Sequence, residues 1–243
     1  MKKYELTAEF IEKWGKKLFR IKALISFGSV EAGELGGYVE KEDNLAQNGN
    51  AWVCDDAEVF GNAEVYGNAR VFGNAEVCGD ARVFGDARVF GNARVCGNAE
   101  VYGNARVFDD AEVYGNARVF GNAEVCDDAR VFGNARVFGN AEVCGNAEVC
   151  GNAEVFDDAD YLLIGRIGSR FSFTTFFKNK DKGITVSCGC FLGTIAEFRA
   201  KVTDTHGNNK HAKMYNLAAD MAELQILGEE HFDKLNTNKS EPF

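Results

Sequence analysis

Three groups of side chains in this 243-residue chain have types and spacings that could do chemistry. The first is Cys188 and Cys190 in "SCGC", followed by His206. Alternate residues of a strand share a face, so these two thiols would stand side by side. A structural zinc site spaces its Cys ligands two to four residues apart and needs four ligands, and no second pair follows here. A nucleophilic thiol with His206 as base is the other chemistry open to them, and two ordinary strand thiols is the plain alternative. His206, His211 and His231 all lie in helix-rich sequence, where surface or helix-end positions suit them. The second group is Arg166, Arg170, Lys178 and Lys180, in "GRIGSR" and "TTFFKNK". These could hold an anion or form a solvated basic hairpin. The third is Asp109, Asp110, Asp127 and Asp128, a pair of carboxylates repeated one coil apart. Four such groups repel unless screened, protonated or bridged by a hard cation, which makes Ca²⁺ the candidate ion. Asp is also a permissible turn former, and Arg106 or Arg130 could neutralise part of the cluster.

The elements that must position these groups follow from a six-residue period. Ala recurs at every sixth position from Ala51 to Ala159 and Val from Val53 to Val155, giving eighteen hexads without insertion. A strict short period of this kind marks a parallel β-helix. Ala and Val two apart face inward, while the Glu or Arg between them and the Phe, Tyr or Cys after them face out. Gly-Asn, Gly-Asp or Asp-Asp then turns the corner, because these residues adopt left-handed backbone cheaply. Three hexads close a triangular coil, so the array predicts six coils stacked about 4.8 Å apart.

The aliphatic residue followed four positions later by a small one (Val59 and Ala63, Val149 and Ala153) resembles the left-handed β-helix of the bacterial hexapeptide-repeat superfamily. The resemblance covers residues 51–160 and implies a left-handed coil. Acyltransferases of that superfamily generally use a His base on a loop near a subunit boundary. The array here has no His, no Lys and no long loop, so the resemblance speaks for the fold and not for that chemistry. The order of "LGGYVEKEDNL" (35–45), the hexads, "IGSR" (167–170) and "CGCF" (188–191) resembles proteins often carried by phages and prophages.

Positions eighteen apart stack into columns. One outward column is aromatic in all six coils: Tyr66, Phe84, Tyr102, Phe120, Phe138 and Phe156. A contiguous apolar ridge requires a cover, either the C-terminal helices or a second subunit. The first face carries Trp52, Arg70, Arg88, Arg106, Glu124 and Glu142. Turned end over end, that column places Arg70 on Glu142 and Arg88 on Glu124, the self-complementarity of an isologous dimer. A ladder that contacts only water is the alternative.

The expected architecture is mainly β: an N-terminal β cap (1–50), a six-coil left-handed parallel β-helix (51–160) and a C-terminal α+β unit of three strands and two helices (161–243). The formal charge is −10, and residues 51–160 hold eight Arg, no Lys and twenty carboxylates. That acidic array makes a nucleic-acid partner unlike this chain, and its eight Arg weaken an acidic rod that mimics DNA. The absence of a leader or an apolar spanning run suggests the cytoplasm, and eight Cys there suggest free thiols. Together these features point to a non-enzymatic binding or scaffold protein that self-associates, a dimer first, with a host protein as target and no cofactor other than the candidate Ca²⁺. The sharpest form is a phage-encoded inhibitor of a host defence protein. The competing class is an enzyme, either acyltransferase-related or housed in the C-terminal unit.

Overall fold

The computed structural model describes residues 2–230 and 232; Met1, His231 and residues 233–243 lie outside the described residues. Residues 52–155 form eighteen two-residue rungs, from Trp52–Val53 to Glu154–Val155. Each rung pairs in parallel and in register with the rung one coil on, as Arg88 with Arg106 and Val89 with Val107. The amides bond between coils, for example Arg88 N to Ala105 O at 2.9 Å and Phe90 N to Val107 O at 3.0 Å. Three parallel sheets result, one per face of the solenoid. The inward Ala from Ala51 to Ala153 and the inward Val from Val53 to Val155 are 0–1% exposed and form one continuous core. Ala159 does not join them. It is exposed in the short 3₁₀ turn Asp158–Asp160, so the regular array ends at Val155 rather than at residue 160.

The solenoid has a seventh, irregular turn that the hexad count omits. Val39 pairs with Val59 and Leu45 bridges Val65, both twenty residues apart, whereas Trp52 pairs with Arg70 eighteen apart. Residues 38–53 therefore wind one turn with two extra residues. Gly36 and Gly37 allow it, since a side chain at either would run into the backbone of Val53 or Ala57. Strands Tyr4–Lys13 and Lys16–Ala23 form an antiparallel hairpin that extends the second face beyond this turn. The hairpin and the loop after it bury Tyr4, Ile21 and Val30 over the open end.

At the other end stands a four-stranded antiparallel sheet: Tyr161–Ile167, Ser172–Lys178, Ile184–Cys188 and Phe191–Thr194. That is one strand more than the sequence suggested, because "CGCF" turns at Cys188–Phe191 and runs on as a fourth strand. Successive strand residues point to opposite faces. Accordingly Phe177 joins the solenoid core while Phe176 joins a second core with Val186, Phe198 and Tyr215. Helix α1, Ile195–His206, starts with a capping box between Thr194 and Glu197. Helix α2, Lys210–Leu227, is capped by Asn209. Arg199 of α1 ties the two helices together through Asp220 at 2.7 Å and Glu223 at 2.8 Å. The seam to the solenoid uses Glu148, whose amide donates to Thr175 Oγ1 at 3.0 Å, and the buried Asp160, which holds Lys178 at 2.6 Å. Among the described residues, no helix is long and apolar enough to cross a membrane.

Candidate functional site

The aromatic column is a stack. From Tyr66 through Phe84, Tyr102 and Phe120 to Phe138, ring centroids lie 4.8–5.0 Å apart with planes within 8° of parallel. The strand spacing sets this distance, since each ring rides on a rung one coil from its neighbour. Phe156 ends the stack by tilting 67° to Phe138. Arg136 lies over both Phe120 and Phe138, with its guanidinium carbon 5.5 and 5.4 Å from the ring centres. The rings cover one another's faces, which leaves the first five half-buried, and Phe156 is 53% exposed. Among the described residues, the C-terminal unit docks on the coil end and its helices do not cover the ridge.

The neighbouring charges are mostly spent within the chain. Beside the ridge, Arg82 reaches Glu64 and Glu100 at 3.8 and 4.0 Å, Arg118 reaches Glu100 at 3.1 Å, and Arg136 reaches Glu154 at 3.0 Å. On the first face, Arg106 pairs with Glu124 at 2.6 Å and lies over Phe90 and Phe108. Arg70 donates to Ser29 of the N-terminal loop. Trp52, which the column placed outward, is fully buried because Tyr4 and Phe27 pack edge-on against it at 6.2 and 5.4 Å. Within the chain these contacts engage Arg106, Glu124 and Arg70, three of the residues of the end-over-end pairing. Among the described residues, Arg88 and Glu142 are left without an ion pair.

The four-Asp corner consists largely of turn formers. Asp109 and Asp127 take left-handed φ of 58° and 55° in the place of Gly. Asp127 accepts from Gly145 N at 3.0 Å, Asp110 from Asn92 Nδ2 at 2.9 Å and Asp128 from Asn146 Nδ2 at 3.4 Å. Asp110 and Asp128 are thus acceptors in the ladder of corner amides and stand next to each other with no donor between them. Asp127 also groups with Cys126 and Cys144, their ligand atoms lying within 4.8 Å of one another. Burial holds both of these thiols above the ordinary range, which works against the thiolate a soft metal needs.

The structure gathers the C-terminal residues that the sequence left scattered. The turn at Gly168–Ser172, the turn at Cys188–Phe191, the last turn of α1 and the first turns of α2 enclose a cleft of about 370 Å³. Arg170, Cys188, Cys190, Lys201, His206 and Tyr215 line it. Cys188 accepts from Thr174 Oγ1 at 3.2 Å, and the His206 ring lies near-parallel to Tyr215, 5.8 Å between centres. Burial, and then Cys188, raise the Tyr215 phenol above its ordinary pKa, so it stays a neutral hydroxyl. Of the proposed anion-binding group only Arg170 reaches this cleft. Lys178 is bound to Asp160 at the seam, and Lys180 pairs its backbone with Asn152. Helix α2 holds another surprise. It buries Ala212, Tyr215, Ala219 and Ala222 and turns Met214, Leu217, Met221 and Leu224 outward, 39–63% exposed.

A long stack of in-register rungs with capped ends defines a β-solenoid repeat protein. The chain's repeats are similar to those described as the YdcK beta solenoid repeat, whose sequence model matches residues 63–79, 81–97 and 129–145. Each matched block is close to one coil, and all three lie in the rungs, away from the C-terminal cleft. No curated protein matches the chain.

Proposed function

We propose that the protein is a non-enzymatic binding scaffold whose contact face is the aromatic ridge, and that it self-associates. The observation that carries this reading is six rings in continuous contact along one face, partly exposed, with no element of the described residues over them. Monomeric proteins rarely leave a contiguous apolar patch of this extent in water. The stack already covers most of the roughly 150–250 Å² of each ring, and the edges left in water, with the open Phe156, form a continuous apolar strip for the centre of an interface. A face repeated in every coil most easily meets a copy of itself. The exposed Met214, Leu217, Met221 and Leu224 on α2 give a second apolar surface for association.

The sharper form, a phage-borne inhibitor of a host defence protein, rests on the likeness of the "LGGYVEKEDNL", "IGSR" and "CGCF" stretches to phage-carried proteins. The test is the pair Tyr102→Lys and Phe120→Glu, which leaves the Ala–Val core untouched. Light scattering should show the wild-type oligomer dissociating to a folded monomer in the double variant. Capture of one stoichiometric protein from host lysate by wild type, lost in the double variant, supports the inhibitor form. A monomeric wild type that captures nothing overturns the scaffold reading.

A further inference from the structure

The cleft of the C-terminal unit carries a function separate from the ridge. Its lining contains Arg170, Lys201 and His206 and no carboxylate, in a chain where acidic residues outnumber Lys and Arg by 37 to 27. Lys201 has one acidic neighbour, Asp204, at 3.2 Å on the outer side of α1. Among the described residues Arg170 makes no ion pair or side-chain hydrogen bond, although the chain is rich in carboxylates that could have taken it. The turn that presents it is a costly one. Arg166 and Phe171 hold φ of 49° and 48°, a region that residues with a side chain enter at some energetic expense, and Gly168 holds 74°.

Gly168 is required for a second reason. A side chain there would run into the Tyr215 hydroxyl, so the floor of the cleft and the Arg170 turn are built to fit each other. The wall behind it is aromatic: the half-buried His206 lies along the buried Tyr215, Phe198 stands edge-on beneath, and Phe191 is tilted with part of its ring open to the cleft. A planar guanidinium binds a phosphate through two parallel hydrogen bonds, and an ammonium adds charge. Aromatic walls take a ring by stacking. The volume, about 370 Å³, falls within the range of small-molecule sites.

We infer that this cleft binds a small molecule carrying both a flat ring and a phosphate monoester, with Arg170 on the phosphate and the partly open rings of His206 and Phe191 against the ring. Arg170 and Lys201 bring two positive charges to the lining, which match the roughly −1.5 to −2 of a phosphate monoester better than the single charge of a carboxylate.

Titration calorimetry on the full chain tests this with phenyl phosphate, against inorganic phosphate, phenol and benzoate. Phenyl phosphate should bind saturably, one per chain, and about tenfold or more tighter than each of the other three. Arg170→Ala should weaken it by about tenfold or more, since a lost charge-assisted pair is of that order. Lys213→Ala, an exposed lysine outside the lining, should leave it unchanged. Because Arg170 is exposed, its variant should fold, which an unchanged melting curve checks. The inference is overturned by any of three results: no saturable binding at millimolar phenyl phosphate, benzoate binding as tightly, or affinity that survives Arg170→Ala in a folded protein.

Discussion

The ring stack makes a contribution to stability that can be separated from its role as a surface. Phe120 lies inside the stack, with Tyr102 at 4.9 Å, Phe138 at 5.0 Å and the Arg136 guanidinium over its face. Phe156 lies at its end, with one edge contact to Phe138 and 53% of its surface in water. A ring pair contributes about 0.5–1.5 kcal/mol beyond burial, and an exposed cation–π contact about 0.5–1 kcal/mol. Phe120→Ala should therefore cost about 1.5–4 kcal/mol, and Phe156→Ala about 0.5–1.5 kcal/mol. Urea unfolding at micromolar protein, with the slope held common, reads the difference as a larger midpoint shift for Phe120→Ala. If a second copy covers the ridge, roughly 50 Å² more of the partly buried Phe120 ring is buried on association, or about 1.2 kcal/mol. Phe120→Ala counts twice in a symmetric dimer, so dissociation should move up by more than about tenfold in concentration. Equal midpoint shifts for the two variants would show that the parallel rings add nothing beyond their own burial. An oligomer whose dissociation does not move would take the centre of the ridge out of the interface.

Other expectations follow from single positions. Gly103 and Gly151 both hold left-handed φ, 73° and 67°, but a Cβ on Gly103 meets Gly121 N at 3.0 Å while one on Gly151 meets nothing within 4 Å. Both Ala variants should lose about 1–2 kcal/mol for the backbone, and Gly103→Ala measurably more in the same urea assay; equal losses would mean the corners do not stack as described. Burial pushes the Cys54 and Cys150 thiols up to about 11, and Cys190 is exposed, so at pH 8 Cys190 should alkylate well before those two. Titration after unfolding without reductant should return all eight thiols, and clearly fewer would mean that stacked pairs such as Cys78 and Cys96 oxidise. Lys3 is 2% exposed, donates to Ala51 O at 2.8 Å, and is pushed down to about 8 by burial. Its folded pKa lies below its unfolded value, so the unfolded chain holds more protons between about pH 8 and 10.5. Relative to Lys3→Met, wild-type stability should rise with pH across that window, by at most about 1.4 kcal/mol per pH unit, and a flat difference would refute the assignment. If the Asp109, Asp110, Asp127 and Asp128 corner takes Ca²⁺, the melting temperature should climb with millimolar Ca²⁺ and Asp127→Asn should abolish the climb; no difference from chelator leaves them as turn formers.

The features the sequence disclosed are those set by a local rule repeated many times. Alternation along a two-residue rung dictates that Ala and Val point in and the following ring points out, so the core and the ridge could both be read from columns. The first turn escaped the count because its offset of twenty comes from Gly36, Gly37 and two extra residues, none of which keeps the period. Trp52 was misplaced for the opposite reason: its position in the hexad is outward, and only the hairpin folding back from far upstream buries it. Helix α2 shows the limit of periodicity more sharply. Spacing of three and four identifies an apolar face but not which one is turned inward, and here the alanines pack with Tyr215 and Ile226 while Met214, Leu217, Met221 and Leu224 stay exposed.

The cleft lies beyond any column argument. Arg170, Cys188, His206 and Tyr215 come from two strand turns and two helices, and each alone is an ordinary surface or strand residue. What joins them is the crossing of α1 and α2 over an antiparallel sheet, a geometry fixed by the second core around Phe176, Phe198 and Val202. The two candidate surfaces thus arise in different ways. The ridge is a consequence of repetition, and a change at one ring alters only its neighbours in the stack. The cleft depends on a single arrangement of non-repeating parts, so a substitution at Gly168 that displaces Tyr215 should disturb ring, turn and Arg170 together while the solenoid keeps its fold.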